Sequence, residues 1–302
     1  MTTEDFDAIP THLTEVRRVR QLSPGVRRVT VGGGLDRLVS KGPDSFVYVL
    51  VAPPWCDELA IGTDFSWLGY YELGDDVRPV GAYYTIRNHR PEVGEIDLDM
   101  VLHDPVLHDT VLHDTVLHDP AAHRGGPDGG DEAARVPGPG EGGHAAAFAR
   151  RAAPGDAVAL WGPRTAYEPP DDTQHFVLVA DDTGLPATCA IVESLSAEQS
   201  ATVFVEVADA GERQPLESAA DLDVTWLYRD GTPPGGTDVL VEMVRKLEPP
   251  DRPAYVWGGG ESRILTAIRK HVRREWGLPR ERVSLTPYWR HASSPEPEPD
   301  HD

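Results

Sequence analysis

Tyr84, Thr85 and Arg87 fall within GAYYTIR, Gly81 to Arg87, and a short turn later comes EIDLDMVLH, Glu95 to His103. Apolar and polar residues alternate through both runs, the period of a strand with one buried face. Such a strand presents hydrogen-bonding side chains to a flat, phosphate-tethered ligand. Two further segments have the chemistry of phosphate sites. LVADDTGLPA, Leu178 to Ala187, ends a strand and starts a helix at Pro186, so neighbouring N–H groups are left free for an anion. WGGGES, Trp257 to Ser262, sets consecutive glycines where a ligand can approach the backbone closely.

These residues need two frameworks. From Val16 to Gly34 the apolar residues alternate around one turn, and FVYVLVA at Phe46 to Ala52 adds another strand. With the strands around Thr85, Met100 and Val158 this is an antiparallel set without long helices, which predicts a closed barrel. After Pro170 short apolar strands at Phe176 to Ala180, Thr202 to Ala208, Val224 to Tyr228 and Tyr255 to Gly259 alternate with helical patterns at Pro186 to Leu195, Asp238 to Leu247 and Ser262 to Trp276. That alternation predicts a parallel, doubly wound α/β sheet, with ligands beyond the carboxyl ends of its strands. The expected division is an antiparallel β-barrel domain over 1–170, an α/β nucleotide-binding domain over 171–292, and a disordered acidic tail over 293–302. A low-complexity excursion over about 104–142 interrupts the first domain, beginning with the repeat VLHDPVLHDTVLHDTVLHDP.

Charged residues make up 26% of the 302 and hydrophobic ones 39%, the balance of a globular protein. No apolar run reaches the roughly 20 residues that span a bilayer, and MTTEDFDAIP lacks the basic start and apolar core of a secretory signal. Cytoplasmic residence without membrane insertion is the expectation. The net charge of −22 repels phosphate backbones, so nucleic acid is not expected as a partner. Two cysteines far apart, Cys56 and Cys189, supply neither a disulfide framework nor a thiolate cluster.

The first motif pair resembles the flavin fingerprint of the siderophore-interacting protein family, a branch of the ferredoxin-reductase-like flavoenzymes. Its pattern, Arg-x-Tyr-Thr-x-Arg and then an Asp-rich strand ending Val-Leu-His, matches Tyr84, Thr85, Arg87 and Met100 to His103, while Ala82 stands at the first Arg. GHAAAFA at Gly143, PGD at Pro154 and GPR at Gly162 continue the family order, with Ala146 at a family Ser. In the second half Asp182, Thr183, Gly184, then Gly258, Gly259 and Glu261, and finally PYWRHA with Trp289, follow the family's nucleotide-domain segments.

The resemblance implies an FAD-dependent ferric-siderophore reductase fed by NADH or NADPH, with ferredoxin as an alternative donor and a monomeric state. Thr85 would hydrogen-bond the flavin ring near its redox edge and is the one catalytic assignment. Tyr84 would pack on the ring or ribityl chain, and Arg87 would counter the pyrophosphate. Met100, Val101, Leu102, His103, Ala145, Ala146 and Trp289 complete the implied cofactor contacts. Asp182, Thr183, Gly184, Gly258, Gly259 and Glu261 are the nicotinamide-nucleotide set.

Other readings compete. Tyr84 also reads as a packed aromatic, the glycine run as a turn, and Tyr288 with Trp289 as C-terminal core anchors. The histidines of the repeat offer imidazole and carboxylate ligands, but spaced five apart in a loop they must lose much entropy to order, so no metal site is assigned. A generic flavin reductase or ferredoxin-linked electron-transfer protein has the same domain order. A noncatalytic siderophore-binding protein is the alternative of another class.

Overall fold

The computed structural model describes residues 9–102 and 143–291. His103, the His-Asp repeat and the acidic tail lie outside the described residues.

The first half closes into a six-stranded antiparallel barrel: β1 (Thr11–Ser23), β2 (Val26–Gly32), β3 (Phe46–Val51), β4 (Val80–Arg90), β5 (Glu95–Val101) and β6 (Ala157–Arg164), in the order β1-β2-β5-β4-β3-β6. Alternation decides which side chains fill it. Val47, Val49 and Val51 of β3 enter the barrel core with Ile96, Leu98, Met100 and Leu160, whereas Tyr48 and Leu50 face outward. Those outward residues are buried too, because the excursion between β3 and β4 folds back over them through a helix the alternation did not predict, α1 (Trp67–Glu72). Its Trp67 meets Tyr48 edge to face at 5.3 Å. A second helix, α2 (Gly143–Arg151), places Ala145, Phe148 and Ala149 in the barrel core.

The second half is a five-stranded sheet, parallel at every pairing. It comprises β7 (His175–Ala180), α3 (Leu185–Ser194), β8 (Ser200–Val207), β9 (Asp221–Tyr228), α4 (Val239–Lys246), β10 (Ala254–Glu261), α5 (Ser262–Arg274) and β11 (Val283–Trp289), in strand order β11-β10-β7-β8-β9. The three predicted helices match α3, α4 and α5 to within two residues. The fifth strand, β11, was not predicted. It contains Pro287, which an edge strand tolerates because one side of its backbone makes no ladder bonds. Strand order reverses between β7 and β10, so their carboxyl ends flank the crevice where such sheets bind ligands.

The contacts that tie the halves together include two made by charged side chains. Glu212, 6% exposed, accepts the Ser23 hydroxyl at 2.5 Å and the Gly25 amide at 2.8 Å from the β1–β2 turn. Arg87 of β4 pairs with Glu193 of α3. No helix among the described residues is long and apolar enough to cross a membrane.

Candidate functional site

β4 runs along the seam between the halves. Thr85, 7% exposed, pairs with Phe46 of β3, and Tyr84 pairs with Val47 and packs against the barrel core while staying half-buried. Arg87 is the extra residue of a β-bulge, since Ile86 faces Leu98 and Asn88 faces Asp97. A bulge re-aims its residue. Here it sends the guanidinium to α3, where Nη1 and Nη2 donate to the two Glu193 carboxylate oxygens at 2.7 and 2.5 Å. The pyrophosphate role expected of Arg87 is therefore revised: its charge is spent across the domain seam. Beside it lies Cys189, whose thiol pKa is pushed up to about 11 by burial.

Ala82 occupies the barrel core. The charge that the family pattern holds there is absent, and the position faces apolar neighbours. Met100 is also core, whereas Val101 and Leu102 are half-buried at the rim, with the Leu102 carbonyl accepting from Arg150 of α2 at 2.9 Å. Ala145 and Ala146 are buried at the start of α2, whose first turn carries no acidic side chain. The donor set suits FAD: a hydroxyl and a half-buried ring on β4, and the amide end of a helix packed on β2, β4 and β5 with no anion of its own to compete for phosphate.

On the nucleotide side Asp182 pairs with Arg229 at the end of β9 at 2.6 Å, and Glu206 lies 3.9 Å from the same guanidinium while accepting from the Thr237 hydroxyl at 2.7 Å. Burial, opposed by Arg229, pushes the Asp182 carboxyl up to about 7. Thr183 donates to the neighbouring Asp181. Gly184 starts α3 so close to β10 that a Cβ would sit 2.2 Å from the Gly259 carbonyl oxygen. Only glycine permits that approach.

Protein side chains fill the room left by the glycine run. Leu285 lies against Gly258, the Tyr288 ring against Gly259 and the Asp181 carboxylate against Gly260. Glu261 caps α5 by accepting the Ile264 amide at 3.0 Å and also accepts from the His291 amide at 3.3 Å, so its carboxylate is engaged within the fold. Trp289, 4% exposed, donates its indole N–H to Asp181 at 2.7 Å.

The two halves meet at Tyr288. It is the extra residue of a second bulge, between Pro287 opposite Gly260 and Trp289 opposite Glu261, and its phenol interacts with the Thr85 side chain. Burial raises its phenol pKa well above the usual tyrosine range. A pocket at the strand ends runs from Val101 of the barrel past Asp182, Thr183 and Arg229 to Trp289. The sequence reading missed Asp181, Arg229 and the bridging role of Tyr288. Asp181 adjoins a motif and Tyr288 lies within one, whereas a lone arginine after β9 carries no motif.

An antiparallel barrel joined to a parallel α/β sheet, with glycines at the switch point, defines a two-domain ferredoxin-reductase-like fold. The model of the siderophore-interacting FAD-binding domain matches residues 15–167 and that of the siderophore-interacting protein matches 173–292. The chain belongs to the siderophore-interacting protein family. It is similar to a siderophore utilization protein from T. fusca, 30% identical, covering 94% of each chain with a TM-score of 0.72. It is 25% identical to the ferric vibriobactin reductase of Vibrio cholerae over 72% of this chain and 68% of that protein. The NADPH-dependent ferric-chelate reductase of Escherichia coli is 23% identical, covering 91% of each.

Proposed function

We propose that this protein is an FAD-dependent reductase that draws electrons from a nicotinamide nucleotide and passes them to the iron of a ferric siderophore. The observation that carries the reading is the approach of Tyr288 to Thr85, because it brings the barrel strand β4 beside the strand ends of the nucleotide domain. A donor bound at the carboxyl ends of β7 and β10 and a flavin on β4 are then neighbours. Bound FAD supplies the conversion between a two-electron donor and a one-electron acceptor. The protein holds the parts: Thr85 offers a hydroxyl at the ring, Tyr84 a packing face, and α2 its amides. Hard oxygen ligands hold Fe(II) far less tightly than Fe(III), so reduction releases the metal. The relatives named as ferric reductases support this substrate class.

NADH is the donor we favour. Asp181, Asp182 and Glu206 outnumber the single guanidinium of Arg229 among the pocket's lining residues, and the Arg213 guanidinium lies over the Trp226 ring at 5.5 Å. A 2′-phosphate would enter an acidic surround.

The test is anaerobic absorbance. The purified protein carries a flavin spectrum, NADH bleaches it, and a ferric hydroxamate restores it with stoichiometric Fe(II) captured by a ferrous chelator. A protein that neither holds nor takes up FAD contradicts the reading. Equal or higher kcat/KM with NADPH overturns the donor preference alone.

A further inference from the structure

One buried carboxylate organises the three nucleotide segments. Asp181 ends β7 at 7% exposure. Its Oδ1 accepts from the Thr183 amide at 2.8 Å and the Thr183 hydroxyl at 2.6 Å. Its Oδ2 accepts from the Glu261 amide at 3.0 Å and from the Trp289 indole at 2.7 Å. These donors come from the turn after β7, the end of β10 and the end of β11, so one side chain sets the spacing of three strand ends. Gly260 makes room for it, since a Cβ there would lie 2.7 Å from Oδ2.

We infer that Asp181 is the positioning residue of the nicotinamide-nucleotide site, an acceptor hub that holds the Thr183 turn, the β10 terminus and the Trp289 indole in their binding arrangement. The inference rests on the donor reading above. All four partners can donate, and an ionised carboxylate accepts from all of them at once. An asparagine, whichever way it flips, turns its NH2 toward two of them.

The experiment uses FAD-loaded protein and NAD+ as a probe that binds without passing electrons. Asp181→Asn raises the NAD+ dissociation constant at least about tenfold, because at least one buried donor loses its acceptor. KM for NADH rises in parallel, while the rate at which a ferric hydroxamate reoxidises dithionite-reduced enzyme stays within about twofold, since that half-reaction does not use the donor site. Asp181→Ala and Trp289→Phe together have less effect than the sum of the two alone, because the first removes the acceptor of the donor that the second deletes. If wild-type protein binds neither NAD+ nor NADP+, the donor reading falls and the inference with it. If wild type binds and folded Asp181→Asn binds within twofold of it, or the two substitutions add, the inference alone is overturned. Should Asp181→Asn not fold, Thr183→Val, which deletes one of the four donors, carries the test. Its expected effect is about a three- to tenfold weaker NAD+ complex, and unchanged binding contradicts the inference.

Discussion

Arg87 and Glu193, 106 positions apart, close a two-bond ion pair between a barrel bulge and the helix after the first strand of the nucleotide sheet. The partners are unequally covered: the Arg87 side chain is 10% exposed and that of Glu193 37%. Deleting the arginine leaves a carboxylate that water reaches, whereas deleting the glutamate strands a buried cation. Arg87→Met is expected to cost about 1 kcal/mol or less of stability, as for partly exposed pairs. Glu193→Ala should cost more, about 2–3 kcal/mol, because the remaining charge is poorly solvated. Neither substitution changes FAD content. Chemical denaturation with flavin absorbance checks both statements. Loss of FAD from folded Arg87→Met would return the pyrophosphate role to that residue.

Thr85→Val keeps the shape of the side chain and removes the hydroxyl that the Tyr288 phenol meets. FAD is expected to remain bound, held by the other contacts. Reduction of the flavin by NADH slows by about 10- to 100-fold, the kinetic equivalent of one hydrogen bond worth about 1.5–3 kcal/mol. Stopped-flow absorbance measures this directly. A rate within twofold of wild type would remove Thr85 from the reaction.

Periodicity made the two frameworks legible because each half obeys one rule: β2 and β5 alternate, and the α/β half switches regularly between strand and helix. It failed where tertiary contacts override local pattern. The excursion over Tyr48 and Leu50 buries both faces of β3, and no alternation announces the covering helix. The two bulges are equally silent, since an inserted residue is visible only against its partner strand. Yet they re-aim Arg87 and Tyr288, two of the side chains that join the halves. Motif order located Thr183 and the glycine run. It could not say that Asp181 and Tyr288, rather than open space, lie against those glycines.

Asp182 gives the donor site a pH dependence. Burial lifts its carboxyl to about 7, so below that pH the group is neutral and Arg229 keeps only Glu206, at 3.9 Å, against its charge, which favours a phosphate. Above it the pair closes and the pocket gains a negative charge. KM for NADH is therefore expected to rise as pH increases through about 7, and Asp182→Asn abolishes the step and keeps KM low at about pH 8. The stability sign is the same. A carboxyl whose folded pKa is raised favours the fold below its unfolded value of 3.8, and that contribution is lost as pH rises through about 7. A flat KM profile for wild type, or an unchanged step in Asp182→Asn, contradicts the assignment.

The charge of the whole chain bears on the substrate. A net −22 slows the approach of multiply anionic ferric catecholates, whereas neutral or cationic ferric hydroxamates meet no such barrier. Arg164 opposes this locally: its guanidinium lies over the rings of Phe46 and Trp161 at 5.8 and 5.7 Å, and Phe46 is the cross-strand partner of Thr85. One cation held on aromatic faces near the proposed flavin edge moderates the repulsion without reversing it. At low ionic strength kcat/KM should be higher for a neutral or cationic complex than for a trianionic one of similar reduction potential. The gap narrows as salt shortens the screening length to about 10 Å at 0.1 M. Arg164→Gln widens it, because the local counter-charge is gone. Faster reduction of the trianionic complex at low salt would show that the potential at the mouth, not the net charge, governs encounter.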